Sequence, residues 1–141
     1  MRTVPLAFAL FGLASGLAIA ATPSSALKVE MQAIVAPASD ILFAVGSEVD
    51  PENPDAAKVP DARWKEAAAA AQTLGRITVS LNGNASARPG AEWAGFVDQY
   101  AAIIGKAGKA AAAKDGAGLY AASNDLSEVC TGCHAKYMPQ T

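Results

Sequence analysis

Histidine and cysteine are almost missing from this chain: among 141 residues there is one histidine and there are two cysteines. Two cysteines cannot build a disulfide framework. A structural zinc site takes about four protein ligands, so here it would have to borrow a carboxylate. Aromatic residues make up only 6%, so rings cannot fill most of a core. Neither sign of charge dominates: 11 basic and 13 acidic residues give a formal net charge of -2. Nothing resembles the basic patch that a nucleic-acid partner needs. Strand signals are scarce as well. The stretch Arg76 to Leu81 alternates in the β-branched manner, yet it stands isolated and continues a helical stripe.

What the chain does have is alanine, in runs such as Ala67 to Ala71 and Ala110 to Ala113. At the N-terminus, Arg2 precedes an uncharged apolar run from Val4 to Ile19, and Ala18-Ile19-Ala20 fits a small-residue cleavage site. Residues 1–20 therefore read as a secretory signal peptide. A cut after Ser24-Ser25-Ala26 is the alternative. The run is shorter than a spanning helix, so no stable membrane insertion is expected after cleavage, and no later stretch reads as a span. The mean hydropathy of +0.21 is inflated by this leader and by alanine. Residues 21–141 are the size of one domain.

Four helical stretches are expected in that domain. The first runs from about Leu27 to Val45, with Met31, Val35, Ala38, Leu42 and Val45 spaced as a helical stripe. Pro37 should kink it, because proline removes a donor and crowds the preceding turn. Gly46 to Pro60 has loop composition, and the acidic stretch Glu48 to Asp55 within it reads as a solvated connection. The second helix starts near Asp61, a candidate N-cap, and carries Trp64, Ala67, Ala71, Leu74, Thr78 and Leu81 inward until Asn82-Gly83-Asn84. The third spans about Ala91 to Lys114 with Trp93, Phe96, Tyr100, Ile103 and Ala107. After Asp115-Gly116, the fourth reaches about Tyr137, before Pro139, with Leu119, Leu126, Cys130, Cys133 and Tyr137 in its stripe. Similar lengths and short connections favour an all-α, antiparallel four-helix bundle, whose cofactor sites lie between facing helices.

The scarce residues converge on one place. Both cysteines and the histidine fall within Cys130-Thr131-Gly132-Cys133-His134. C-x-x-C-H is the attachment sequence for c-type haem: two thiols form thioethers to the vinyl groups, and the histidine stands where its imidazole binds iron. At i, i+3 and i+4 of the last helix the three side chains share one face. A thioredoxin-like dithiol would open a helix after a strand, and no strand pattern precedes Cys130. A disulfide between cysteines three apart would close too small a loop to stabilise much. One haem c is thus expected on the last helix. Its bulk would make up for what alanine lacks, so haem attachment should be coupled to folding. Such haem is attached outside the bacterial inner membrane, which makes the periplasm the expected address. Trp64, Trp93 and Tyr137 are expected as core or haem-packing aromatics, and Lys136 as a solvated lysine.

The layout resembles the class II c-type cytochromes, the group of cytochrome c-prime and its low-spin, methionine-ligated relatives. The haem motif at the C-terminal end, an aromatic (Tyr137) three residues after the histidine, the pair Met31-Gln32 early in the first helix and Trp93-x-x-Phe96 in the third carry the resemblance. It implies a four-helix bundle, a covalent haem c packed near Tyr137, His134 as axial ligand and electron transfer with partner proteins. The family's arginine four residues before the methionine is here Leu27, with Lys28 the nearest base. Class II bundles often dimerise through their first two helices, so monomer and homodimer both stay open.

Two readings stay open for Met31: a thioether ligand to iron opposite His134, or a packing residue. Met138 lies one turn beyond His134, on the wrong side. With Met31 bound, the protein is a one-electron carrier and not an enzyme. With Met31 off the iron, it is a gas-binding protein for NO or CO. A haem peroxidase would want distal acid–base groups, and there is no second histidine.

Overall fold

The computed structural model describes residues 23–84 and 91–138. The expected leader (residues 1–20), the turn at Pro89-Gly90 and the stop at Pro139 lie outside the described residues. Everything regular that is described is helical, and no strand occurs among the described residues. The first rod is a continuous run of α1 (Pro23–Glu30), a π-helical turn (Met31–Val35) and α2 (Ala36–Glu48). After a short 3-10 turn at Ala56–Lys58 come α3 (Asp61–Gly83), α4 (Ala91–Ala113) and α5 (Gly116–Tyr137).

The rods pair in reversed sequence order. Glu48 of α2 holds Arg63 of α3 (Nε to Oε2 2.9 Å), and Glu30 of α1 accepts from Ser80 further along α3. Leu74 and Leu81 of α3 meet Tyr100 and Trp93 of α4. Lys106 and Glu92 of α4 face Asp125 and Lys136 of α5. Finally α5 returns to α2, where Ser123 sits against Gly46. A Cβ on Gly46 would lie 2.7 Å from the Ser123 Cβ, so glycine is what lets these two backbones approach. Each rod thus has two neighbours, and the four close around one core. Leu42, Val45, Leu74, Leu119 and Leu126 are fully buried there. Burial of one such side chain is worth about 1.5–3 kcal/mol.

Several local expectations are corrected. Asp61 is not the N-cap of α3. That place belongs to Pro60, in extended conformation, and Asp61 is the first helical residue. Its carboxylate suits the positive end of the helix dipole and pairs with Lys114 at 2.6 Å, which holds its pKa below the usual carboxylate range. Ile77 is buried where Thr78 had been expected and Thr78 is half-buried; the more apolar side chain takes the inward place. α4 ends at Ala113, and Lys114 has φ 54°. The Asp115 N–H reaches the Ala110 carbonyl (2.9 Å) and the Lys114 N–H that of Ala111 (3.2 Å). This is a Schellman ending with lysine in the place glycine usually takes. Asp115 then caps α5 by accepting from the Gly118 N–H at 3.0 Å.

At Pro37 the rod is not interrupted. The adjustment is the π-helical turn just before it, in which the Ala36 N–H bonds to the Met31 carbonyl. The rod's apolar character also corrects an expectation. Ala26–Glu48 is long and apolar enough, with mean hydropathy 1.3, to cross a membrane by length and composition. An N-terminal signal sequence passes the same test, and so does a core helix. Here Leu42 and Val45 are fully buried in the bundle.

Candidate functional site

At the end of the bundle where the first rod begins and α5 finishes, the core gives way to a cavity of about 320 Å³. Met31, Val35, Ser39, Asp40 and Phe43 of the first rod line one side. Trp93, Phe96 and Tyr100 come from α4, and Cys130, Thr131, Cys133 and His134 from α5. The residues singled out in the C-x-x-C-H run therefore share one cavity with Met31, which is a hundred positions away in sequence. Cys130 and Cys133 are thiols, half-buried and packed against the core. His134 borders the cavity but is exposed, and Met31 is half-buried.

The scarce aromatics concentrate here. The Trp93 indole donates to the Leu81 carbonyl at 3.1 Å, and the Tyr100 hydroxyl to that of Leu74 at 2.9 Å. Both polar ends are thus fixed on α3, and the rings are left to line the cavity. Tyr137 stands edge-on to Trp93 (centroids 5.0 Å, 83°) and to Phe96 (6.2 Å, 87°), so it supports the lining rings. A Cβ on Gly132 would meet the Phe96 ring at 3.1 Å; the glycine inside the motif lets α5 lie against α4. Trp64 is at the other end of the bundle, near Val49 and Gly116. Leu27 is buried and Lys28 exposed. Lys136 is exposed but held by Glu92, which pushes its pKa up.

The electrostatics separate two uses of paired cysteines. Burial pushes the Cys130 thiol up, and neighbouring Cys133 adds to it. The attacking thiol of a dithiol redox centre is lowered, and Cys130 is shifted the other way. Burial also pushes Tyr100 well above the usual phenol range, with smaller contributions from Cys130 and Glu30. No group of three or more His, Cys, Asp or Glu side chains is placed to hold a metal ion among the described residues. His134 offers one imidazole and Met31 one thioether, from different rods. Two such donors fall short of the three or four that a protein-built zinc site takes.

Ser39, Asp40, Phe43 and Ser127 also line the cavity and carry no motif. Phe43 is the only aromatic of the described first rod. The hydroxyl of Ser39, only 7% exposed, has no hydrogen-bond partner. Such a buried group ordinarily costs about 1–3 kcal/mol. A cavity occupant with an acceptor or donor would remove that cost.

No family model, curated protein or solved structure matches the chain.

Proposed function

We propose that this protein is a periplasmic c-type cytochrome of the class II layout, carrying single electrons on one haem c. The observation that carries the reading is the shared cavity: both cysteines, the lone histidine, Met31 and four aromatic rings border it. In this reading Cys130 and Cys133 each add their S–H across a vinyl group. The sulfur bonds to one carbon and the proton goes to the other, so no oxidant is needed. The imidazole of His134, from α5, and the thioether of Met31, from the first rod, would hold the iron. The haem supplies the Fe(III)/Fe(II) couple. Met/His ligation would raise the potential of that couple.

The chain's own part is to hold and to exclude water. Phe43, Trp93, Phe96 and Tyr100 offer apolar surface to a flat group, and Tyr137 braces two of those rings. The leader would deliver the chain to the periplasm, where it would exchange electrons with partner proteins. A second reading, a five-coordinate haem that takes up NO or CO, draws on Ser39. Its buried hydroxyl has no partner within the protein and faces the cavity beside Asp40 and Ser127.

Mass analysis and a pyridine haemochrome spectrum of the matured protein test attachment. A mass matching the mature chain without haem sinks both readings. Oxidised and reduced spectra, with CO then added, choose between them. Low-spin spectra unchanged by CO support the carrier. High-spin spectra with ready CO uptake support the gas-binding protein.

A further inference from the structure

The side chain that the first rod presents to the cavity depends on its π-helical turn. An α-helix turns about 100° per residue. Counted back from Phe43, an unbroken α-helix would set Met31 about 120° away, toward the buried side of Ala38, Leu42 and Val45. Gln32 would then stand within about 20° of Phe43 and face the cavity. The turn at Met31–Val35 accommodates one extra residue, which rotates everything before it by about 100°. Met31 comes round to the cavity and Gln32 moves to the exposed edge, as found. Glu30 takes the direction Met31 would have had, and its carboxylate meets Ser80 of α3. That contact is an independent mark of the rotated register.

Pro37 is the reason for the turn. In an α-helix its ring would crowd the Ala33 carbonyl, and it has no N–H to offer. The wider π turn removes the crowding at little cost, since that hydrogen bond was not available in either register. We infer that Pro37 is a positioning residue: through the π turn it selects Met31 over Gln32 as the side chain at the cavity. This goes beyond the proposed function and rests on it only where a spectrum of the haem is read.

Two variants test it. P37A allows an unbroken α-helix, and alanine favours one. P37A with exposed Ala33 deleted also allows an unbroken α-helix, but returns Met31 to the cavity side by removing the extra residue. Nuclear Overhauser effects from the Met31 methyl group to the cavity rings are expected in the natural protein and should be lost in P37A. The deletion variant should regain them. In the matured protein P37A should turn high-spin and take up CO, and the deletion should restore the low-spin spectrum. Retention of the Met31 contacts in P37A overturns the inference. A natural protein that itself takes up CO overturns methionine ligation alone, and the Overhauser contacts still decide the register.

Discussion

The two ends of the bundle are built differently. At the end of the Glu48–Asp61 connection, buried Trp64 packs with small residues and aliphatics, and ion pairs tie the rods. Val49 and Gly116 touch closely, Arg63 ties Glu48 to Glu66, and Lys114 reaches Asp61. At the other end the large side chains Met31, Phe43, Phe96 and Tyr137 are only half-buried around a cavity, and His134 is exposed. The Glu48–Asp61 end also has a groove, lined by Val49, Val59, Trp64 and Gly116, but it holds no thiol, imidazole or thioether. The open end leaves rings, thiols and a thioether half-buried around the cavity.

The double variant C130A/C133A should show the largest effect. On the proposed haem reading it should leave no covalent haem by mass, and amide exchange should quicken around Trp93 to Tyr100 while Leu42, Val45 and Leu119 stay protected. Uniform quickening at both ends would erase the distinction. G46A attacks the Glu48–Asp61 end instead. Its new Cβ runs into Ser123, and overpacking of this kind costs about 1–3 kcal/mol. Denaturant melts should show that loss with the visible spectrum unchanged. A spectrum that shifted would mean that the two ends are coupled.

Y100F should be milder, about 1 kcal/mol for the hydrogen bond to Leu74. It also has a pH signature. The folded phenol ionises above its usual value of about 10. Its contribution is therefore whole below about pH 10 and is lost as pH rises toward the folded value, because the unfolded chain releases the proton first. Alkaline melts should decline less steeply in Y100F; an unchanged slope would mean that Tyr100 is not held neutral. K114G should be smallest and of opposite sign. A non-glycine residue in the left-handed region costs about 1–2 kcal/mol, and part of the relief is offset by glycine's freedom in the unfolded chain. A gain of under about 1 kcal/mol in thermal melts is expected, and a loss would show that the Lys114–Asp61 pair outweighs the backbone.

Much of this was legible from spacing. The stripes through Leu42 and Val45, through Trp64 and Leu74, and through Leu119 and Leu126 are buried as read. The motif at Cys130 to His134 lies on one helical face. Ser39 and Phe43 were not legible as cavity residues, because a serine and a lone phenylalanine on a helix carry no signature. The N-cap at Asp61 was misplaced by one residue, since proline's fixed φ suits the start of a helix as well as aspartate's side chain does.

By itself the sequence determined that the described chain is helical and that its rarest residues share one helical face, while the first rod runs on through Gly46 to Glu48, where a loop was expected. Periodicity and local chemistry suffice for those two properties, because they act within a few residues of the backbone. Only the tertiary structure decided that Met31 reaches the same cavity as His134, and that Gln32 does not. A register set by one widened turn, and a cavity closed by rods distant in sequence, are properties of packing that no local pattern records.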